Sequence, residues 1–426
     1  MKRSSASIGR RAVLKGMTAG VAAATIARPA FAVPRTLKLG LVAPQTGPLT
    51  LFSEEIPFVL NQIKKTFNGQ IKINGTNHPF EIIVKDSQSN PNRASEVALD
   101  LILKNKIDIM CAFATPETVN PVADQCELNG IPCISNDAPL DSYFFGRHGD
   151  PKKGFEWTYN FFFSGSQVIR TYMGVWHKVK TNNVLGVLWA NDDDGNTFAK
   201  VMPPVIEKGG FKIIDPGRFD MPLSNYSAQI SAFKSAGVEL VFSVIPGPEF
   251  TTFWNGAAQQ GFRPKVMSPG KVAEFPQGVN PYGNRAVNLS IEVWWSRFHP
   301  FSSGMTGQTS AELADDYEKT TKREYSMALG FRHSLFEVAF DVLKRAQNLD
   351  KRASVRDALR QTNYKSVIGP VDFTKPGPFP NTCTTPLVGG QWRKGKKWPL
   401  ELVIVDNTVS PEIPTNGEAE PIAYGS

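Results

Sequence analysis

The chain has 426 residues, of which 41% are hydrophobic and 20% charged, and its mean hydropathy is −0.23. These values are typical of a folded globular chain, and the length predicts two or three domains. After residue 32, no apolar run approaches the roughly 20 residues that a membrane-spanning helix requires. Five scattered histidines and four cysteines argue against a zinc scaffold and against a fold built on disulfides.

The net charge of +8 is concentrated at the N-terminus. Residues 1–32 carry no acidic side chain and six basic ones: Lys2, Arg3, Arg10, Arg11, Lys15 and Arg28. Removing these six charges leaves a net charge of +2 on the rest of the chain. The body therefore lacks the strong positive charge of proteins that grip a phosphate backbone, and we expect no nucleic-acid partner.

Residues 1–32 have the three parts of an export signal: a charged start, an apolar stretch over 16–26, and the Ala-x-Ala cleavage site at 30–32. Residues 9–15 (GRRAVLK) resemble the twin-arginine export motif, although Gly9 replaces Ser/Thr and Val13 replaces Phe. We predict a cleaved twin-arginine signal peptide over 1–32, a mature chain that begins at Val33, and a periplasmic location.

From Val33 onward, short apolar runs alternate with amphipathic stretches, which is typical of βαβ units and parallel sheets. The predicted strands are 37–44, 80–86, 107–114, 131–135, 184–189, 211–214, 238–245, 265–267 and 400–406. The predicted helices begin at Pro91 and cover 196–208, 226–236, 311–322, 335–347 and 353–362. We predict an α/β fold of two Rossmann-like lobes joined by several chain crossings. Lobe 1 would comprise 33–160 and 296–366, and lobe 2 would comprise 161–295 and 367–426.

The search for catalytic motifs is negative. The chain has no dinucleotide-binding or phosphate-binding glycine loop, no nucleophile elbow and no zinc motif. An EF-hand beginning at Asp192 fails because Pro203 occupies its twelfth position. We predict no enzyme activity, no cofactor and no metal. One disulfide among Cys111, Cys126, Cys133 and Cys383 is compatible with the sequence, which does not select a pair; buried free thiols are the alternative.

Five polar loops follow predicted strands: 45–53, 115–118, 135–138, 192–196 and 246–249. Because ligands bind at the carboxyl ends of the strands in open α/β sheets, these loops predict a site for a small polar ligand. Taken singly, each loop is also explained as a helix cap. Trp294 has two interpretations, core packing or stacking on an apolar ligand, whereas core packing is favoured for Phe161, Phe162 and Phe163.

Several segments together resemble the periplasmic branched-chain amino-acid (leucine/isoleucine/valine) binding proteins of ABC transporters, which have the type I periplasmic binding fold. The segments are LGL at 39–41, TGP at 46–48, VKDSQSNPNRA at 84–94, NGIPCIS at 129–135, AAQQGF at 257–262, IGPV at 368–371 and VGGQW at 388–392. The resemblance extends over residues 36–410. It implies capture of a small molecule between two lobes and delivery to membrane permease subunits, with a monomer as the usual state.

The resemblance also implies a set of ligand-binding residues. Carried over position by position, the set is Phe52, Thr115, Pro116, Glu117, Ser135, Asn136, Asp137, Ala138, Asp194, Pro246 and Lys271, to which Trp294 is added from the aromatic pattern. The ligand would be an amino acid or a related carboxylate.

The sequence departs from the amino-acid binders at two positions of this set. Residues 269–271 (PGK) stand where those proteins carry a glutamate that holds the ligand's ammonium group, and Pro246 replaces an aromatic residue. Because a buried lysine repels an ammonium group, we hypothesise that Lys271 pairs with a carboxylate, for example that of an aromatic acid. The alternative is a surface-loop lysine. For the whole chain, the alternatives to transport are an exported ligand sensor with a membrane partner and an exported enzyme that uses Asp192–Asp194.

Overall fold

The computed structural model describes residues 34–375 and 377–424. The predicted signal peptide lies outside the described residues. Sixteen strands are numbered in chain order: β1 Leu37–Ala43, β2 Gln70–Ile73, β3 Thr76–Asp86, β4 Ile109–Ala112, β5 Cys133–Asn136, β6 Thr158–Phe162, β7 Val184–Trp189, β8 Lys212–Ile214, β9 Leu240–Val244, β10 Val266–Gly270, β11 Ser290–Val293, β12 Asn363–Ser366, β13 Gly369–Asp372, β14 Thr382–Thr384, β15 Val388–Lys394 and β16 Leu400–Asp406.

Thirteen α-helices connect these strands: α1 Ile56–Phe67, α2 Pro91–Asp100, α3 Pro116–Asn129, α4 Leu140–Gly146, α5 Gly165–His177, α6 Asp193–Val201, α7 Pro203–Lys208, α8 Ser227–Ser235, α9 Gly247–Gln259, α10 Pro276–Val279, α11 Ser310–Thr321, α12 Ala328–Arg345 and α13 Arg352–Arg360. The predicted helix over 196–208 is in fact two helices, because Pro203 cannot donate a hydrogen bond inside a helix and begins α7. Asn90 caps α2, as its side chain accepts a hydrogen bond from the N–H of Arg93.

The first sheet has the strand order β14-β6-β5-β4-β1-β3-β2. All its pairings are parallel except that of β2 with β3. Six of the seven residues of β1 are buried, as expected for a strand covered on both faces. The β2–β3 hairpin turns at Asn74 and Gly75, both with positive φ, which an Asn-Gly pair adopts readily.

The second sheet has the order β10-β9-β7-β8 and is entirely parallel. A third, antiparallel sheet has the order β11-β15-β16. The predicted α/β fold with parallel sheets is confirmed. The chain passes from β6 to the second sheet, returns after β11 to α12, which packs against strands of the first sheet, and leaves again after β14.

Two sequence-based expectations have different outcomes. The lobe boundaries stay a prediction; within the segment assigned to lobe 2, β14 pairs with β6 of the first sheet. The four cysteines are buried free thiols, which is one of the two alternatives that the sequence left open. In the part of the chain that the structure describes, no helix has the length and apolar character needed to cross a membrane.

Helix α12 packs closely on a buried tryptophan. The Trp295 indole N–H donates to the Ser310 hydroxyl at 3.1 Å and to the Val367 carbonyl at 3.1 Å, so the ring is fixed. Gly330 lies in α12 against this ring, and a Cβ atom added there would lie 2.4 Å from the indole. The glycine is therefore required by a close approach, not by its backbone conformation.

We predict opposite effects for two Gly→Ala substitutions in helices. Gly330→Ala should lower the free energy of unfolding by about 1–3 kcal/mol, because the ring cannot move aside. Gly256→Ala, in the interior of α9 where the added Cβ would meet only the terminal Cδ1 of the Ile230 side chain at 3.2 Å, should raise it by about 0.4–1 kcal/mol. Denaturant titration of both variants measures the difference. Stabilisation by Gly330→Ala would contradict the packing described here.

Candidate functional site

A buried cavity of about 30 Å³ lies where the carboxyl ends of the first and second sheets face each other. Residues that follow β1, β4, β5, β7 and β10 contribute to it: Phe52, Thr115, Asp137, Asp194 and Lys271. We call it the main cavity. The fold thus brings together four residues that the sequence analysis placed in loops after strands, and Lys271, which entered through the family resemblance.

The walls of the main cavity are largely aromatic. Six aromatic side chains line it: Phe52, Phe162, Phe163, Tyr172, Phe198 and Phe242. Several contact each other, with ring centroids 4.0 Å apart for Phe162 and Phe163 and 4.9 Å apart for Tyr172 and Phe242. Such walls suit an apolar or aromatic group of a ligand.

Lys271 forms the only cationic group in the lining described for this cavity. Its Nζ lies 2.9 Å from Asp194 Oδ2, 3.6 Å from Asp192 Oδ2 and 3.7 Å from Glu117 Oε1. Burial alone would lower the pKa of Lys271, but the carboxylates of Asp192, Asp194 and Glu117 raise it well above its usual value. Lys271 is thus a buried, charged and internally paired residue, and the alternative of a surface-loop lysine is wrong.

Asp194 is the closest partner of Lys271. Burial raises the pKa of Asp194 to about 7, although the lysine opposes this shift. Its Oδ1 accepts a hydrogen bond from the Ser142 hydroxyl at 2.9 Å. Asp192 acts as the N-cap of α6, because its side chain accepts from the N–H of Gly195 at 2.7 Å. The helix-cap interpretation of this loop therefore holds for Asp192.

Two further carboxyl groups line the main cavity and were not predicted from the sequence: Glu274 and Glu292. Glu292 accepts a hydrogen bond from the Tyr172 hydroxyl, and burial raises its pKa to about 7. Burial and the neighbouring Glu292 raise the pKa of Glu274 well above its usual value. Glu274 Oε1 accepts from the Lys271 N–H at 3.1 Å, whereas Oε2 has no partner among the described residues. The only sequence signal for Glu292 was an acidic residue in an apolar strand.

Asp137 forms a fully buried ion pair with Arg332 of α12. The Arg332 Nη1 also donates to Asn136 Oδ1 at 3.0 Å, and the guanidinium lies 3.8 Å from the centroid of the Phe113 ring. Burial lowers the pKa of Arg332 to about 9, and Glu55 partly opposes this shift. Arg332 was missed by the sequence analysis, because its partner lies almost 200 positions away.

Three predicted residues at the end of β5 and just after it support the site without lining it. Ser135 donates to Asn160 Oδ1 at 2.9 Å, and Asn136 donates to the Phe331 carbonyl at 3.0 Å. The Ala138 carbonyl accepts from Asn160 Nδ2 at 2.8 Å. These bonds hold the backbone that presents Asp137.

The remaining predicted residues have different positions. Glu117 reaches the site through Lys271, whereas Pro116 begins α3 and Pro246 precedes α9, and neither lines the main cavity. Trp294 is fully buried and packs on Phe162 and Phe331, with centroids 5.2 Å apart in both pairs. Core packing, one of its two interpretations, is what the structure shows. The Thr115 hydroxyl is buried and has no partner among the described residues.

No group of three or more histidine, cysteine or acidic residues within the described ranges is placed to hold a metal ion. The site therefore offers hydrogen-bonding groups, buried charges and aromatic surface. This combination suits reversible binding of a small molecule.

The chain matches the periplasmic binding protein family over residues 36–396. It belongs to this family, whose members are binding proteins and not enzymes. The prediction that the chain is not an enzyme is thereby confirmed.

Solved structures have the same fold. The leucine-binding protein LivK of Thermotoga maritima superposes with a TM-score of 0.72 at 16% identity, covering 87% of this chain and 99% of its own. A solute-binding protein of an ABC transporter from Rhodopseudomonas palustris BisB5, in complex with 3,4-dihydroxybenzoic acid, gives 0.69 at 20% identity, covering 88% and 99%. The branched-chain amino-acid binding protein LivJ of Streptococcus pneumoniae, in complex with isoleucine, gives 0.64 at 18% identity, covering 87% and 99%.

Removing the Arg332 guanidinium should destabilise the protein strongly. Arg332→Met leaves the Asp137 carboxylate buried without a counter-ion, and we expect the free energy of unfolding to fall by about 3–5 kcal/mol. Adding Asp137→Asn should recover most of the loss, since the uncompensated charge is then removed. Equal stability of the single and the double variant, measured by denaturant titration, would contradict this role.

Glu292 predicts a pH dependence of stability. Its pKa is about 7 in the folded protein, against an ordinary value of 4.5, so the folded state disfavours the charged form. Below pH 4.5 the neutral carboxyl group of Glu292 makes its full contribution to the free energy of unfolding. This contribution is lost as the pH rises through about 7. Glu292→Gln should therefore match the parent at pH 4.5 and exceed its free energy of unfolding at pH 8 by on the order of 2–3 kcal/mol. The exposed Glu412→Gln is the control, and a constant difference across this range would exclude the effect.

Proposed function

We propose that this protein is the periplasmic solute-binding component of an ABC uptake transporter. It captures a small amino acid or a related carboxylate in the main cavity and delivers it to the permease subunits of a membrane transporter. The observation that carries the proposal is the main cavity itself, a buried, aromatic-walled and charged space at the carboxyl ends of two parallel sheets. The resemblance to the branched-chain amino-acid binders and the predicted twin-arginine signal support export and transport.

Contacts between the two predicted lobes support capture by closure. Lys271 pairs with Glu117, and Ser142 donates to Asp194. At a third point, Gln277 Nε2 donates to Glu54 Oε2 at 2.6 Å. Each pair joins a residue of the proposed lobe 1 to a residue of the proposed lobe 2, so these bonds form when the lobes close and break when they open.

The ligand's polar group decides between two modes of binding. A carboxylate would bind Lys271 and the free Thr115 hydroxyl, and would replace part of the negative charge that Asp194 now supplies. An ammonium group would bind the unpartnered oxygen of Glu274 beside Glu292. The ligands bound in the similar structures include both an amino acid and an aromatic acid. The hypothesis for Lys271 favours the carboxylate mode, with the ligand's apolar part against the aromatic walls.

The first test is a thermal-shift panel on the mature chain, refolded to remove any bound ligand. The panel contains leucine-like amino acids, aromatic carboxylates, dicarboxylates and short amides. A ligand present at 100 times its dissociation constant should stabilise the protein by about 2.7 kcal/mol. Failure of every compound to shift the melting temperature would contradict capture of this ligand class.

The ligand found in the panel then tests Lys271. Lys271→Met should weaken a carboxylate ligand at least tenfold, and Lys271→Glu should weaken it further, because the charge is reversed. Lys265→Met is the matched control, since Lys265 pairs with Glu239 on the surface. Unchanged affinity in Lys271→Glu, or stabilisation by leucine-like amino acids alone, would exclude Lys271 as the carboxylate partner.

A further inference from the structure

A second cavity, of about 220 Å³, lies between the third sheet and the connection from α11 to α12. It is separate from the main cavity, although Glu274 lines both. Four aromatic side chains contribute to its walls: Phe298, Tyr325, Trp392 and Trp398. We call it the second cavity.

Glu324 brings a buried carboxyl group to this cavity. The residue is 8% exposed, and its Oε2 is buried with no hydrogen-bond partner among the described residues. No lysine, arginine or histidine of the described chain lies within ion-pair distance of it. A buried carboxyl oxygen without a donor is costly, and it indicates that a donor from outside the chain belongs there.

The basic side chains that line the second cavity already have partners. Lys397 Nζ lies 2.6 Å from Glu318 Oε2, and Arg297 forms an ion pair with Asp315. Glu318 is further satisfied by the Trp398 indole N–H at 2.9 Å. The lining thus contains a matched set of charges around Glu318 and two acids with an unpartnered oxygen, Glu324 and, at the boundary with the main cavity, Glu274. Burial and the nearby Glu318 and Glu401 raise the pKa of Glu324 to about 9.

We propose that the second cavity binds a small organic ammonium ion. The ammonium group donates a hydrogen bond to Glu324 Oε2, and its carbon atoms contact the aromatic walls. Aromatic faces attract a cation. The bound cation favours the ionised form of Glu324, whose proton is released to solvent, and the resulting carboxylate forms a strong charge-assisted hydrogen bond with the N–H donor. The second cavity shares only Glu274 with the main cavity, and the ammonium site at Glu324 does not depend on the proposed capture of the transported molecule.

The test uses three probes of similar shape: benzylammonium, neutral benzyl alcohol and anionic benzoate. Calorimetric titration of the mature protein at pH 7.5 should show binding of benzylammonium at least tenfold tighter than of benzyl alcohol. Glu324→Gln should reduce benzylammonium affinity at least tenfold. Glu412→Gln, the same substitution at an exposed position outside both cavities, should leave that affinity unchanged. Because Glu324 lacks an ion-pair partner among the described residues, we expect its glutamine variant to fold.

A second variant tests whether the ligand occupies the volume of the second cavity, and it leaves the charge of Glu324 unchanged. Leu402 lines the second cavity, and Leu402→Phe should reduce benzylammonium affinity by partly filling it. If Glu292→Gln abolished benzylammonium binding and Glu324→Gln retained it, the ammonium ion would bind in the main cavity, and the proposal would be overturned. Equal affinity for benzylammonium and benzyl alcohol would overturn it as well. The ligand identified for the main cavity should still bind the Glu324→Gln variant. This control distinguishes a failure of the ammonium-site proposal from a failure of the proposed transport function.

Discussion

The site depends on a single ammonium group, that of Lys271, which is buried among more carboxyl groups than it can neutralise. It draws together Asp194 from the second sheet and Glu117 from the first. One positive charge cannot compensate every acid of the cavity in a medium of low dielectric, and burial raises the pKa values of Asp194, Glu274 and Glu292. The charge state of the cavity is therefore adjustable, and an incoming ligand becomes one more member of the same network.

Much of the architecture could be predicted from the sequence. Buried apolar runs such as 37–44 are easily recognised, and the alternation of strand and helix implies parallel sheets. The loops at the strand ends then follow from topology, which is why Phe52, Thr115 and Asp137 were found. The hydrophobic pattern around Trp294 did not decide whether its side chain packs in the core or contacts a ligand. A tryptophan at the end of a strand can do either, depending on the element that packs beside it.

The missed residues share one physical cause. Glu274, Glu292 and Arg332 become part of the site through contacts between segments that are distant in the chain. No spacing rule links Arg332 in a late helix to Asp137 after an early strand. Lys271 was found as a departure from the family pattern, and Asp194 and Glu117 were in the predicted set, but their ion pairs with Lys271 were not predicted, since these join segments that are distant in the chain.

The four unpaired thiols have a consequence for biogenesis. All of them are buried small apolar groups, so the described fold contains no covalent cross-link and requires no oxidant to form. Such a protein reaches the same native state in a reducing and in an oxidising compartment. That independence agrees with the predicted twin-arginine signal, since a protein exported by that route would have to fold in the reducing compartment before translocation.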